Sequence, residues 1–341
     1  MLTNQNIINI IAPNIKSGGG KELLEYLLEY IDTNYLNIKV TVYLDRLLSN
    51  IKSTNNREVI YLDSVQDKIK LFTKKLKNSL YFGNLPPLVK SKNSIVYFHN
   101  PYLLMSFSIL KKSSFEFMIK YMLQQLYIRL FVKNVDVVAV QNKEIKNNFI
   151  NKYKYDKVDL LPFFRLCDKN IIDNKIYDFC YVSLAHPHKN HDRLLDAMQI
   201  LSDKNIHTSL VLTIEDGHNK LKEKIDTINK QGIVNIVNLG ILKKEDVCKL
   251  YSKSKCLVFP STQETFGLAL IESVHMGLDV IASNLDYVYQ SIKPSLVFDP
   301  TCSDDIADKL KIYLSTRINK SDIIIHNEID KLIKILIEEN K

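Results

Sequence analysis

The chain has 341 residues, too long for one small core, so its length favours two domains. It is 46% hydrophobic and 25% charged with only 9 Gly and 9 Pro, a composition that excludes a long disordered or low-complexity tract. The net charge of +8 suits an anionic partner such as a nucleotide or a phospholipid surface; with no zinc-finger spacing, RNP-type aromatic motif or dense basic tail, no nucleic-acid partner is expected.

Five cysteines (Cys167, Cys180, Cys248, Cys256 and Cys302) make no CxxC pair, which reads as a reduced cytosolic chain without structural zinc. Met1 is followed by the polar Thr3-Asn4-Gln5-Asn6 and then by a strand, so no secretory signal is expected. The longest apolar-rich run, near His99 to Leu110, is well short of the roughly 18 residues that span a bilayer. A soluble or peripheral protein is the expectation.

Taken in order, strand-like runs alternate with helical ones, the pattern of parallel sheets with crossover helices. Ile7 to Ala12 reads as a buried strand ended by Pro13. Ser17-Gly18-Gly19-Gly20 then leads into a helix from Lys21 to Asp32 with Leu23, Leu24, Leu27, Leu28 and Ile31 on one stripe. A glycine-rich turn there either lets backbone N–H groups approach a phosphate or sugar or is a tight turn with no ligand. Strands follow at Lys39 to Leu44, Glu58 to Leu62 and Ser94 to Phe98, with a helix at Val65 to Lys77. The last of these strands ends in His99-Asn100-Pro101, and the carboxyl ends of strands in open α/β sheets are where ligands bind. A lone histidine there is either structural or part of a site.

From Pro101 to Val135 there are five basic residues and one acid, and between Phe115 and Val132 polar residues recur only every fourth or fifth place. That segment reads either as a core helix with one solvated stripe or as an interfacial helix on anionic lipid. Strands at Val135 to Val140 and Val158 to Leu161 close the first sheet, and Phe163 to Lys175 is the linker. A second alternation begins at Asp178 to Ser183 and repeats near Ser209, Asn235, Cys256, Val280 and Leu296. Two Rossmann-like α/β domains facing a central cleft are the expected fold, the first over 1–165 and the second over 166–320, with a C-terminal helix in 321–341.

After the first strand of the second half comes Leu184-Ala185-His186-Pro187-His188-Lys189-Asn190-His191, then a helix from Asp192. The three histidines lack a supporting acidic or cysteine cluster, so no metal site is expected. Lys189 beside a helix N-terminus reads either as a phosphate clamp, its ammonium and the helix dipole neutralising a leaving diphosphate, or as a solvated surface lysine.

Phe259 to Asp279 is the most informative stretch: an apolar strand breaks at Pro260, Glu264 follows in a polar turn, and from Thr265 to Met276 the only full charge is Glu272. A helix apolar nearly all round is buried, and a carboxylate there needs hydroxyls, amides or a cation. Eight residues along one helix would separate the two acids by roughly 12 Å, a reach suited to a sugar at one end and a nucleoside at the other. Glu264 could equally complete a cap after Ser261 or Thr262, and Glu272 could pair with a core Lys or His.

Glu-Thr-Phe-Gly-Leu followed by Glu at that spacing, with Gly277, Val280 and Ile281 behind it, resembles the E-x7-E motif of retaining glycosyltransferases of family four, which have the GT-B fold. The resemblance extends from Ile7 to about Asp299 and is closer to bacterial transferases that extend lipid-linked oligosaccharides for O-antigen or capsule, through the H-K-N-H loop and the P-S-T-Q-E-T-F-G-L run. It implies a nucleoside-diphosphate sugar donor (UDP-sugar favoured), no cofactor and no divalent metal. It also implies a hydroxyl acceptor on a lipid-linked oligosaccharide, and a place in the cytoplasm or on the inner face of the cytoplasmic membrane.

The family's Gly-Arg pair, with Lys five residues after the Arg, matches at Lys189 but has Leu184 in place of the arginine, which leaves the leaving group one cation short unless His186, His188 or Arg193 compensates. In this reading Lys189, Gly18, Gly19 and Gly20 and the amides of Phe266, Gly267 and Leu268 take the diphosphate. Thr265 belongs to the same donor loop, His99 and Glu264 steady the sugar, and Glu272 accepts from the ribose. A GT-B epimerase or phosphorylase, or a non-catalytic sugar-nucleotide-binding partner, are the alternatives.

Overall fold

The protein, represented by a computed structural model, is described over residues 7–16, 18–168, 175–264 and 266–337. It divides into two units, Met1–Arg165 together with His326–Lys341, and Leu166–Ile325.

The N-terminal unit runs β1 (Ile7–Ala12), α1 (Gly18–Asn34), β2 (Lys39–Asp45), β3 (Arg57–Leu62), α2 (Val65–Phe72), β4 (Lys77–Phe82), β5 (Lys92–Phe98), α3 (Phe107–Leu110), α4 (Phe115–Phe131), β6 (Val137–Val140), α5 (Lys143–Tyr153) and β7 (Val158–Leu160). The seven strands pair in the order β3-β2-β1-β4-β5-β6-β7, all parallel. Period-two alternation feeds two cores, since Ile8, Ile10, Phe82 and Tyr97 join one cluster while Ile11, Tyr81, Val96 and Phe98 join the other. Both faces are therefore covered, as a parallel sheet requires. The stripe of α1 (Leu24, Leu27, Leu28 and Ile31) fills the first cluster.

β4 corrects the sequence reading, which carries the helix from Val65 on to Lys77. The helix stops at Phe72, and β4 enters through Asn78 in a left-handed conformation (φ 48°). The lysine-rich run before Leu80 hides a strand whose last four residues are buried and which lies between β1 and β5.

The C-terminal unit runs β8 (Tyr177–Tyr181), α6 (His191–Asp203), β9 (Thr208–Leu212), α7 (Asn219–Asn229), β10 (Val234–Asn238), α8 (Lys244–Lys253), β11 (Ser254–Phe259), α9 (Leu268–His275), β12 (Asp279–Ser283), α10 (Asp286–Tyr289), β13 (Ile292–Lys293), β14 (Leu296–Phe298), α11 (Ser303–Ser315) and β15 (Asp322–Ile323). Six strands form a parallel sheet in the order β10-β9-β8-β11-β12-β14, and β13 pairs antiparallel with β15. Cys256 to Phe259 and Val280 to Ala282 are buried without a break, the pattern of strands covered on both faces.

The expectation of five free thiols is also corrected, because Cys167 and Cys248 are joined in a disulfide across 81 residues of sequence. Cys167 sits in the segment entering this unit, where its carbonyl meets His275 Nε2 at 3.0 Å, and Cys248 lies on α8. Only the tertiary fold brings these two positions together.

The chain closes with α12 (Ile329–Ile337), whose Ile329, Leu332, Ile333 and Leu336 enter the first core cluster of the N-terminal unit. Tyr35 of that unit donates to Asp330 at 2.7 Å. The sequence reading gives 321–341 to this helix; residues 322 and 323 are instead the strand β15.

Candidate active site

In each sheet the strand order reverses at one place, between β1 and β4 in the N-terminal unit and between β8 and β11 in the C-terminal unit. Chains leaving neighbouring strands there turn to opposite sides and open a crevice beyond the strand carboxyl ends, where ligands of such sheets bind. Gly18 to Gly20 follow β1, Lys189 follows β8, and Glu264, Phe266, Gly267, Leu268 and Glu272 follow β11, each beside one of these two places, while His99 follows β5, the neighbour of β4.

In the C-terminal unit the loop after β8 is held by Ser183 N donating to Thr213 Oγ1 (3.0 Å) and Ala185 N donating to Glu215 (2.9 Å). It ends in a short 3-10 turn, Pro187–Lys189, and in Asn190 at φ 61°, whose amide donates to the carbonyls of Pro260 (3.1 Å) and Pro300 (2.8 Å). The loop after β11 is laced to it, since Thr262 N and Oγ1 and Ser261 Oγ all donate to the His188 carbonyl. This stitching brings Lys189 Nζ to 2.5 Å from Glu264 Oε1, with side chains 19% and 13% exposed. The ammonium also lies 5.9 Å from the centre of the Phe259 ring. Two groups 75 residues apart in sequence thus form one half-buried charge pair at the switch point.

Glu264 is not on the following helix. Gly267, at φ 68° and ψ 46°, precedes α9, so Glu264 lies in the turn before the helix and Glu272 on the helix itself. A Cβ on Gly267 would fall 2.9 Å from Leu270 Cδ1, and the left-handed conformation adds its own penalty, so glycine is required here. Phe266 is fixed by its carbonyl, which accepts from Ser291 Oγ at 3.0 Å, and Leu268 opens the helix. Thr265 lies outside the described residues.

Glu272, on α9, is 4% exposed and forms an ion pair with Lys244, the first residue of α8. The buried carboxylate demanded a cation, but nothing in the sequence singled out Lys244 among 46 lysines and arginines. Tyr251, on the same helix as Lys244, is fully buried, and its phenol is pushed up by burial first and by the Glu272 charge second.

Leu184, where an arginine was expected by resemblance, is 45% exposed. Of the compensating groups considered, Arg193 donates to the Thr301 carbonyl (2.5 Å), and the rings of His186 and His188 stack at 5.8 Å. Burial, then the neighbouring Lys189 charge, push the His188 imidazole below its ordinary value, which disfavours a cation there. His191 is buried against Tyr181 (ring centres 4.7 Å apart), and neither ring nitrogen has a hydrogen-bond partner among the described residues. Among the described residues no group of three His, Cys, Asp or Glu side chains is placed to hold a metal ion.

In the N-terminal unit Gly18, Gly19 and Gly20 form the first turn of α1 itself, where the sequence reading has a loop. A Cβ on Gly20 would come within 3.2 Å of Ile15 Cδ1 and 3.5 Å of His99 Nε2, so the glycine lets the helix approach the end of β5. Asn84, at φ 74°, accepts from the backbone N–H groups of His99 (2.8 Å) and Asn100 (2.9 Å) and fixes that strand end. His99 lies beside Phe82 and Tyr97, and its Nδ1 has no hydrogen-bond partner among the described residues. Burial pushes its pKa down to about 4, so the imidazole is neutral at pH 7. It lines a cavity of about 300 Å³ with Asn14, Lys16, Asn100, Lys120 and Gln124.

Residues 165–330 match the family model for glycosyl transferases group 1. The O-antigen chain mannosyltransferase B of Escherichia coli is 25% identical over 184 residues, which is 53% of this chain and 46% of that protein. The chain thus spans about half the length of the curated relatives it matches. A glycosyltransferase from Rickettsia africae superposes with a TM-score of 0.66 at 17% identity, covering 99% of this chain and 94% of that one. An Anabaena protein in complex with UDP and glucose gives 0.59 at 14% identity, covering 97% and 92%. Two parallel α/β units of this topology, the structural likenesses and the family match converge: this is a protein of GT-B fold whose residues 165–330 are similar to the glycosyl transferases group 1.

Proposed function

We propose that the protein transfers a sugar from a nucleoside diphosphate to a hydroxyl group, with retention at the anomeric carbon and without a divalent metal. The observation that carries this reading is the Lys189–Glu264 pair at the switch point of the C-terminal unit, one turn from the N-terminus of α9. Departure of a diphosphate needs fixed positive charge, and a sugar developing oxocarbenium character needs a nearby carboxylate. Lys189 supplies the first, and the N–H groups at the start of α9 are assigned to the same charge. Glu264 supplies the second as an orienting and electrostatic group, with no covalent step assigned to it. Within the pair each charge satisfies the other, so neither half-buried ion is stranded.

Glu272 is assigned to the ribose hydroxyls, held for that task by Lys244. His99 is assigned to a sugar hydroxyl, as a neutral imidazole that hydrogen-bonds without adding charge. The UDP and glucose complex of the Anabaena neighbour supports a UDP-sugar donor, and the name of the E. coli relative supports a role in O-antigen-type polysaccharide synthesis, for which the acceptor is assigned as a lipid-linked oligosaccharide. Such an acceptor would place the protein at the inner face of the cytoplasmic membrane.

A thermal-shift screen with UDP-, GDP- and dTDP-sugars tests the donor site. A ligand at a hundred times its Kd stabilises by about 2.7 kcal/mol, and Glu272→Gln should abolish the shift for the matching donor. Absence of stabilisation by every nucleotide sugar would overturn the proposal. An epimerised nucleotide sugar, formed without acceptor, would move the protein to a different chemistry on the same fold.

A further inference from the structure

The cavity beside His99, about 300 Å³, is walled by the loops that follow β1, β4 and β5 and by a stretch of α4. It is at the small end of ligand pockets, which run from roughly 300 to 1,000 Å³, a size for one sugar-sized group. Two lysines line it, Lys16 and Lys120, and no carboxylate does. Neither ammonium forms an ion pair among the described residues. Asp45, whose carboxylate feels the Lys16 charge, is already paired with Lys68 at 2.7 Å, and Glu116, one turn before Lys120 on α4, makes no bridge to it. Lys120 Nζ lies 5.4 Å from the centre of the Tyr121 ring, which lines the same cavity. His99 is neutral at pH 7, so the charge of the cavity is that of the two lysines.

The amides add donors. The Asn84 side-chain oxygen accepts from both His99 N and Asn100 N, and that of Asn100 accepts from Tyr102 N at 3.0 Å. These bonds use the oxygen of each amide and leave its NH2 group, which has no acceptor among the described residues. Asn84 is 8% exposed, so its spare donor belongs to the built wall of the cavity. Asn14 and Gln124, also in the lining, make no side-chain hydrogen bond among the described residues. Unpaired cations and spare donors around one cavity call for an anion, and a neutral ligand would leave both lysines unmet. In the reading above the donor diphosphate has its cation at Lys189 in the C-terminal unit, which leaves the second substrate to supply the anion here.

We infer that this cavity binds an acidic sugar of the acceptor, a hexuronate or a phosphorylated hexose, with its carboxylate or phosphate on Lys16 and Lys120 and the NH2 groups of Asn84 and Asn100 donating to its oxygens. The two lysines are then specificity-determining residues that select a charged acceptor over its neutral counterpart. That the bound sugar is an acceptor rests on the transferase reading, but its binding is measured with neither donor nor turnover, so either can fail alone.

The experiment is isothermal titration calorimetry of the full chain, without nucleotide, with hexuronates and hexose 6-phosphates of gluco, galacto and manno configuration and with the corresponding neutral methyl hexosides. A hydrogen bond to a charged group is worth about a factor of ten in affinity, so at least one charged sugar should bind about tenfold tighter than its neutral counterpart, a preference that shrinks at high salt. Lys16→Gln with Lys120→Gln, at two exposed positions, should reduce that preference to about threefold or less with an unchanged circular dichroism spectrum. Lys74→Gln with Lys75→Gln removes the same charge from an exposed loop of the same unit and should leave the preference intact. The tighter of the two charged series says whether the anion is a carboxylate or a phosphate. No charged sugar preferred over its neutral counterpart, equal losses in the two lysine pairs, or inorganic phosphate bound as tightly as the best charged sugar would overturn the inference. So would displacement of the charged sugar by UDP together with loss of UDP affinity in Lys16→Gln with Lys120→Gln, since the anion held there would then be the donor's.

Discussion

His191 offers the sharpest test of the packing around the donor loop. It is 3% exposed, lies against Tyr181, and has both ring nitrogens without partners among the described residues. Burial, opposed by the Glu215 charge, pushes its pKa down from 6.5 to about 4. The unfolded chain therefore takes up a proton on acidification that the folded chain refuses, so stability is present above pH 6.5 and is lost as the pH falls towards 4. Between pH 7 and pH 5 the linkage relation gives a loss of about 1.8 kcal/mol for this one residue. His191→Leu keeps the volume and removes the titration. It also removes two unsatisfied polar atoms, which cost about 1–3 kcal/mol when buried. The variant should be at least as stable as the parent at pH 7 and should lose about 1.8 kcal/mol less on going to pH 5. His99, pushed down to about 4 by burial, titrates the N-terminal unit in the same direction and remains in the variant as an internal reference. Urea unfolding followed by far-UV circular dichroism at the two pH values provides the readout, since the chain has no tryptophan. An unchanged difference between pH 7 and pH 5, or an NMR titration of His191 near 6.5, would refute the reasoning.

Three further outcomes are expected. Reducing the Cys167–Cys248 bond, or replacing it through Cys167→Ser, frees a loop of 81 residues and should lower the stability of the C-terminal unit by about 4 kcal/mol, read as a urea midpoint that shifts with dithiothreitol in the parent only. Gly267→Ala places a Cβ 2.9 Å from Leu270 at φ 68°; it should cost about 1–2 kcal/mol from backbone strain alone and weaken nucleotide binding in calorimetry, whereas wild-type affinity would show that the N-terminus of α9 does not touch the donor. Lys189→Ala should lower kcat about a hundredfold with any donor that is turned over, the scale of losing one preorganised charge-stabilising group; a change confined to KM would assign the lysine to uniform binding.

Much of the fold was legible in the chain. The alternation of strand and helix, the apolar stripes of α1 and α12 and the motif after β11 are local patterns, and local patterns survive in sequence. β4 was missed because its burial comes from pairing between β1 and β5, while its own residues begin with a lysine and an asparagine. The E-x7-E motif was legible as a polar turn acid followed by an acid in an apolar helix, while the left-handed Gly267 that separates them shows only in the backbone. Lys189 and Glu264 could each be singled out by neighbourhood, yet their 2.5 Å contact depends on hydrogen bonds that lace two loops to the His188 carbonyl. Lys244 beside Glu272, the bond between Cys167 and Cys248, and the second, outward apolar face of α4 are likewise long-range outcomes. By itself, then, the sequence determined the class of fold and the types of residue its chemistry would draw on, because periodicity and motif spacing are properties of neighbouring residues. Which groups meet, which charges are satisfied and which apolar faces stay uncovered was decided only by tertiary structure, because those depend on the order in which strands pair and on what that order lays side by side.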